Sequence, residues 1–156
     1  MNVSLVIPLL NEAESLNELH DWIISQMQSK AFTYELIFVD DGSTDESWQI
    51  IESLCKSNTS VKAIRFKRNY GKSQALNAGF EIAQGDVVVT MDADLQDNPE
   101  EIPQLIKMIE SEDYDLVSGW KKRRYDSFLP KIYPQNFLIG LHERPQEFNS
   151  TILIAV

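Results

Sequence analysis

Cysteine is almost absent from this sequence. Cys55 is the only one in 156 residues, which excludes an intrachain disulfide and a metal cluster held by several thiolates. A reducing compartment fits this composition, and we expect a cytoplasmic location. Histidine is scarce too, because His20 and His142 lie far apart in the chain. We expect His20 to be a surface or packing residue of a helix.

Positively charged residues are also few. There are 14 Lys and Arg against 24 Asp and Glu, a net charge of −10, which argues against general nucleic-acid binding because that needs clustered cations. The exception is residues 121–124, all Lys or Arg. No apolar run approaches the roughly 18 residues of a membrane span, and the N-terminus does not read as a signal peptide. With 43% hydrophobic residues, the chain can form one globular domain with a real core.

Two common phosphate-binding patterns are missing. There is no G-x-x-x-x-G-K-[ST] loop and no G-x-G-x-x-G after the first strand, so a P-loop ATPase or a dehydrogenase finds no support. What is present is an alternation of strands and helices. Apolar periodicity predicts helices near residues 11–24, 48–54, 75–82 (ended by Gly85) and 100–109, and strands at 3–10 (broken at Pro8), 34–39, 61–66, 87–91 and 115–118. This alternation predicts an α/β fold with three layers and a mostly parallel, doubly wound sheet.

A pair of carboxylates follows the fourth predicted strand. Asp92 and Asp94 are separated by the small Ala93, and side-chain alternation along a strand would point both carboxylates the same way. Such a pair, completed by a diphosphate, can hold Mg²⁺ or Mn²⁺. The alternative is that these residues only form a turn or cap a helix.

Three further polar loops follow predicted strands. The carboxyl ends of parallel strands meet at one edge of the sheet, so these loops should lie on the same rim as Asp92 and Asp94. Ligands of such sheets bind beyond that edge. The three loops are residues 10–12, 40–45 and 67–72. The loop at 40–45 could be a turn in which Ser43 or Thr44 caps a helix and Gly42 supplies an unusual backbone angle. The loop at 67–72 brings three cations, Lys67, Arg68 and Lys72, near the acidic rim. A negatively charged diphosphate bound between them and the carboxylates would explain this arrangement. The alternative is that the three side chains are only solvated.

Together these segments resemble family 2 glycosyltransferases of the GT-A fold, in particular those that use polyprenyl phosphates, such as dolichol-phosphate mannose synthases. The resemblance covers about residues 1–125 and rests on VIPLLNE (6–12), VDDGSTD (39–45), NYGK (69–72) and MDADLQDNP (91–99). It implies a UDP- or GDP-sugar donor, a polyprenyl phosphate acceptor and a cell-envelope role. It also implies that the full-length form works at the cytoplasmic face of the membrane, and it leaves a homo-oligomer open.

The resemblance also assigns roles to residues. Asp92 and Asp94 would bind the metal and serve as the catalytic pair. The nucleotide sugar would contact Pro8, Leu10, Glu12, Val39, Asp41, Lys72, Ala93, Gln96 and Lys121. Family members often have an aromatic residue where Leu10 stands, so base stacking is not expected from that position.

The pattern changes near Pro134. Back-translated with suitable codons and read two bases later, residues 137–156 give FNWAARKTSGVQLHDFNCG, which resembles the acceptor-side segment of these enzymes. We therefore expect a donor-binding domain at 1–125 and an irregular, out-of-frame tail at 126–156, produced by a single-base deletion. Such a chain would lack the acceptor-side aspartate and the C-terminal membrane helices, and could bind the donor without turnover.

Three alternative functions stay open from the sequence. One is a nucleotide-diphosphate-binding module without catalysis, and another is a family 2 transferase with a saccharide acceptor. A nucleotidyltransferase is the third, although the Gly-rich first loop expected of that class is missing.

Overall fold

Strands and helices alternate along the chain, as the periodicity predicts. The computed structural model describes residues 2–30, 32–112, 116–119 and 152–155. The strands are β1 (Asn2–Leu9), β2 (Thr33–Asp40), β3 (Val61–Arg65), β4 (Val87–Thr90), β5 (Leu116–Ser118) and β6 (Ile152–Ala155). The helices are α1 (Leu16–Ser29), α2 (Ser47–Ser57), α3 (Lys72–Ile82) and α4 (Ile102–Glu112), the last preceded by a 3-10 turn at Pro99–Glu101.

The described strands form one sheet in the order β3-β2-β1-β4-β6-β5, and every pairing in it is parallel. β1 pairs with β2 from Asn2 opposite Thr33 to Leu9 opposite Asp40. The predicted break at Pro8 is wrong, because Pro8 lies within β1 and pairs with Val39. A proline removes one N–H donor from the ladder without forcing the strand out of its extended conformation.

Apolar side chains cover both faces of the sheet. On one face a large core joins β1, β2 and β4 to α1, α2 and α4; Leu5, Phe38 and Ile106 are among its fully buried members. On the other face a smaller core contains Val6, Val39, Val88, Ile37 and Ala75, the last from α3. Helices on both faces of a parallel sheet confirm the predicted three-layer, doubly wound architecture.

Two helix boundaries differ from the sequence prediction. α1 begins at Leu16, because Asn11 takes a left-handed conformation (φ 58°) and residues up to Ser15 form a loop. α3 ends at Ile82, so Gly85 is not its cap. Gly85 is instead required by close approach, since a Cβ there would lie 2.6 Å from the Ser4 nitrogen.

The tail contributes one strand to the sheet. β6 lies between β4 and β5, with Val87 opposite Ile152 and Leu116 opposite Leu153. The expectation of an irregular tail is therefore wrong for these four residues, whose run of branched apolar side chains suits a parallel strand. Residues 120–151, which include Lys121 and Pro134, lie outside the described residues, so the frameshift and the domain boundary remain predictions. Among the described residues, no helix is both long and apolar enough to cross a bilayer.

Candidate functional site

A cleft of about 300 Å³ opens beyond the carboxyl ends of β1, β2 and β4. The four loops that the sequence places on one rim all contribute to it. Its lining residues are Pro8, Leu9, Leu10, Glu12, Asp41, Asn69, Gly71, Lys72, Asp92, Ala93 and Asp94. Eight of the predicted donor-site residues are therefore brought together: Pro8, Leu10, Glu12, Asp41, Lys72, Asp92, Ala93 and Asp94.

The loops after β1 and β2 are hydrogen-bonded to each other. Asn11 donates its backbone N–H to Ser43 Oγ at 2.9 Å, and its side-chain Oδ1 accepts from the Thr44 N–H at 2.8 Å. The Glu12 N–H donates to Ser47 Oγ at 2.9 Å. Neither Ser43 nor Thr44 caps α2, because α2 begins at Ser47 and its N-cap position is Glu46, so that alternative is wrong. These hydroxyls orient the loop that carries Glu12.

Asp41 connects the loop after β2 to the loop after β3. Its Oδ1 accepts from the Tyr70 N–H at 2.7 Å, and its Oδ2 accepts from the Gly71 N–H at 2.9 Å. Gly42 makes this approach possible: its φ is +82°, as predicted for an unusual backbone angle, and a Cβ there would lie 2.5 Å from the Arg68 carbonyl carbon. Asp41 thus has a structural role in addition to its place in the cleft wall.

The loop after β4 is held by its own carboxylates. The Asp92 N–H donates to Asp97 Oδ2 at 2.7 Å, and the Gln96 N–H donates to Asp94 Oδ1 at 3.0 Å. Leu95 adopts a left-handed conformation, with φ of 61°. Because β4 ends at Thr90, loop geometry rather than strand alternation brings Asp92 and Asp94 to the cleft.

The cations of residues 67–72 do not act as a group. The Lys72 ammonium donates a hydrogen bond to Asp92 Oδ1 inside the cleft. Arg68 lies 5.0 Å from the centre of the Tyr70 ring, and Lys67 is exposed and does not line the cleft. The expectation of three cations facing the acidic rim is therefore corrected to Lys72 among the described residues of this loop.

Negative charge is concentrated beside Glu12. Burial and then the nearby Asp94 carboxylate raise the pKa of Glu12 above its ordinary value. Asp45 and Asp92 add to this effect, whereas a hydrogen bond from Ser15 opposes it. Excess negative charge of this kind favours the binding of a cation.

Three predicted donor-site residues lie elsewhere. The Val39 side chain is fully buried in the smaller core, so the prediction that it surrounds a nucleoside is wrong for that side chain. Gln96 is exposed and is not among the residues that line the cleft, although its N–H orders Asp94. Lys121 lies outside the described residues. Leu9, Asn69 and Gly71 also line the cleft; they lie in the motifs quoted above, but no donor-binding role was predicted for them.

Comparison with known proteins identifies the family. A family model described as glycosyl transferase family 2 matches residues 4–154.

The chain belongs to this family.

The proteins similar to this chain include polyprenyl-phosphate sugar transferases. An undecaprenyl-phosphate 4-deoxy-4-formamido-L-arabinose transferase of Pseudomonas fluorescens is 46% identical over 126 residues, which are 80% of this chain and 37% of the relative. A dodecaprenyl-phosphate galacturonate synthase of Rhizobium johnstonii is 37% identical over 144 residues, which are 90% of this chain and 43% of the relative. The chain therefore spans about two fifths of the length of these relatives.

Solved structures of GT-A glycosyltransferases share the fold. The mannosyltransferase PcManGT from Pyrobaculum calidifontis, in complex with GDP-Man and Mn²⁺, superposes with a TM-score of 0.60 at 27% identity, over 69% of this chain and 32% of that one. S. aureus TarS 1-349 in complex with UDP gives a TM-score of 0.61 at 24% identity, over 78% of this chain and 36% of that one. The predicted GT-A fold is confirmed.

A divalent cation fits the donor set of this family 2 domain. No cluster of three or more His, Cys, Asp or Glu side chains arranged for a metal occurs among the described residues. Asp92 and Asp94 nevertheless supply hard oxygen ligands, and Mg²⁺ commonly uses one or two carboxylates together with substrate phosphates. The two aspartates and a diphosphate would together supply such a shell.

Sequence reasoning missed the hydrogen bonds by which residues outside the cleft lining shape the cleft. Asn11, Ser43, Ser47 and Asp97 accept or donate the hydrogen bonds that order three of the four loops. The density of Ser, Asn and Asp after each strand was the available signal, because such side chains commonly bond to nearby backbone groups. That signal does not tell which backbone group each will bond.

Proposed function

We propose that this chain binds a nucleoside diphosphate sugar with a divalent cation in the cleft. We further propose that, as part of a polyprenyl-phosphate glycosyltransferase, it transfers the sugar to a polyprenyl phosphate at the cytoplasmic face of the membrane. The observation that carries the proposal is the convergence of Asp92, Asp94 and Lys72 in one cleft at the carboxyl ends of the strands. The names of the similar proteins support the acceptor class.

The cleft has two chemically different parts. The part formed by β1 and the loop after it presents Pro8, Leu9 and the exposed Leu10. This apolar surface suits a base and ribose, with Glu12 available to accept hydrogen bonds from hydroxyl groups. The other part presents Lys72, Asp92 and Asp94, and suits the diphosphate with its cation.

The chemistry follows from charge. Departure of a nucleoside diphosphate develops negative charge, and a bound divalent cation would neutralise part of it as a Lewis acid. Asp92 and Asp94 would hold that cation, and the Lys72 ammonium would pair with a phosphate oxygen. A polyprenyl phosphate already carries an anionic oxygen near neutral pH, so its attack needs little help from a general base.

Titration with UDP and GDP, with and without Mn²⁺, tests the donor site. We expect the wild type to bind one of them more tightly with Mn²⁺, and the double variant Asp92→Asn, Asp94→Asn to lose at least about 10-fold of that affinity. Asp21→Asn is the matched control, because the Asp21 side chain on α1 is 83% exposed and does not line the cleft. Wild-type binding that does not depend on the metal would refute the proposed site.

A nucleotide-binding module without catalysis is the second candidate. It is favoured by one observation: the described residues that line the cleft are those proposed for the nucleotide and its cation, and none of them is proposed for the acceptor. Transfer of labelled sugar to a polyprenyl phosphate separates the candidates, measured for this chain beside a version with the reading frame restored at Pro134. Binding without transfer by this chain, with transfer by the restored version, would support the module for the chain as it stands.

A further inference from the structure

Lys72 lies at a helix position that disfavours a positive charge. It is the first residue of α3, at the positive end of the helix dipole, and the first turn of α3 contains no acidic residue. A lysine at this position is unfavourable unless an anion lies opposite. In the structure that anion is the Asp92 carboxylate, 20 residues further along the chain.

The same carboxylate is one of the two proposed metal ligands. An ammonium and a divalent cation compete for the oxygens of Asp92, because both interact with its negative charge. The pair is accessible, with the Lys72 side chain 60% exposed and the Asp92 side chain 38% exposed. Exposed pairs of this kind are weak, so a divalent cation can displace the ammonium at low cost.

The start of α3 stays in place when Lys72 moves. The Asp41 carboxylate holds the N–H groups of Tyr70 and Gly71, and the carbonyl of Gly71 accepts from Gln74 and Ala75. The Lys72 backbone is therefore anchored independently of its side chain. The long side chain can change partner while the cleft wall is preserved.

We propose that Lys72 is an internal counter-ion of Asp92, that a divalent cation displaces it, and that the released ammonium then pairs with the diphosphate of the nucleotide. Cation and nucleotide would thus bind cooperatively, because each removes a competitor of the other. The nucleotide half of this inference rests on the proposed function. The cation half rests on the Lys72 and Asp92 pair and on Asp92 as a metal ligand, and it needs no nucleotide.

The variant Lys72→Met tests both halves, because they predict effects of opposite sign. Isothermal titration of Mn²⁺ without nucleotide should show about 2- to 5-fold tighter binding than wild type, since the competing ammonium is gone. At saturating Mn²⁺, UDP or GDP should bind about 10-fold more weakly, since a charge-assisted bond to phosphate is lost. The loss should be smaller without Mn²⁺, because the wild-type ammonium is then shared with Asp92.

Lys67→Met is the matched control. It removes the same charge from the same loop, at an exposed position that does not line the cleft. We expect it to change both affinities by less than about 2-fold, since exposed charges interact weakly through solvent. In an Asp92→Asn background, Lys72→Met should no longer tighten Mn²⁺ binding, because the carboxylate for which the two cations compete has been removed.

The Mn²⁺ and nucleotide titrations of Lys72→Met test the two halves of the proposal separately. Mn²⁺ binding that is unchanged or weakened in Lys72→Met, relative to Lys67→Met, would overturn the exchange. Tighter Mn²⁺ binding with unchanged nucleotide affinity would overturn the transfer of Lys72 to the diphosphate. If no nucleotide binds to the wild type, the proposed function fails, while the Mn²⁺ titration still supports or overturns the displacement of Lys72.

Discussion

Replacing Asp41 by Asn tests whether its carboxylate, which the sequence predicts to bind the nucleotide sugar, also holds the loop after β3 in place. Asp41 is 4% exposed and accepts hydrogen bonds from two consecutive backbone N–H groups, those of Tyr70 and Gly71. An asparagine side chain of the same size has only one oxygen. It can accept from one of these groups, and its NH₂ then faces the other donor.

The magnitude follows from the bonds involved. A hydrogen bond to a charged acceptor contributes about 1.5–3 kcal/mol, and a buried donor left without an acceptor costs about 1–3 kcal/mol. The lost bond and the repulsion between two donors affect the same N–H group, so these figures overlap. We expect Asp41→Asn to lower the free energy of unfolding by about 2–4 kcal/mol. In a domain of this size that corresponds to a fall in Tm of about 4–16 °C.

Urea unfolding followed by circular dichroism, without any ligand, is the assay. Asp21→Asn is the matched control, because its side chain is 83% exposed and Asn keeps the Oδ1 that contacts His20 Nδ1, so its change should stay within about 0.5 kcal/mol. If Asp41→Asn loses no more stability than Asp21→Asn, the carboxylate does not hold the loop after β3. Asp41 would then be a ligand-binding residue only.

Two further predictions concern the glycines of the rim and the opposite end of the sheet. Gly42→Ala should lose at least about 1 kcal/mol more stability in urea unfolding than Gly71→Ala. Both residues have positive φ, but a Cβ lies 2.5 Å from the Arg68 backbone at Gly42 and meets nothing within 4 Å at Gly71; equal losses would refute the close approach. For Glu35, burial raises the pKa, but hydrogen bonds from Lys62, Ser4 and the Gln84 N–H outweigh it and lower the pKa below 4.5. Its contribution to stability is therefore complete above pH 4.5 and is lost as the pH falls through the lower folded-state pKa. The gap between wild type and Glu35→Gln should shrink in acid unfolding series, and a gap that stays constant from pH 7 to 3 would contradict this.

The layers of the fold were predictable from the sequence because burial on both faces leaves a simple pattern. In β1, Val3, Leu5 and Ile7 enter the larger core while Val6 enters the smaller one. A continuous apolar run of this kind is typical of a parallel strand covered on both sides. Once such a strand is recognised in the sequence, the residues at its carboxyl end can be placed at the ligand-binding edge of the sheet without knowing the tertiary structure.

Contacts between loops could not be predicted in the same way. Asn11, Ser43 and Ser47 are all plausible helix caps when only neighbouring residues are considered. Their actual partners lie 32 to 35 positions away in the chain. Sequence periodicity carries no information about such contacts, because they depend on the spacing of β1 and β2 in the sheet. This is why α1 begins at Leu16 and not at Asn11.

The acidic residues of the rim belong to two groups that look alike in the sequence. Asp40, Asp41 and Asp97 are each less than 5% exposed and accept hydrogen bonds from backbone N–H groups of their own or neighbouring loops. Glu12, Asp92 and Asp94 line the cleft and are more exposed, although Asp94 also accepts from the Gln96 N–H; the pKa of Glu12 is raised by burial and by its acidic neighbours. A carboxylate whose charge is already balanced by buried donors adds less to the attraction of a cation than one that faces solvent beside other carboxylates. The negative charge that would attract a metal in the proposed site therefore comes mainly from the second group, and Lys72 is the cation that, in our proposal, the metal displaces from Asp92.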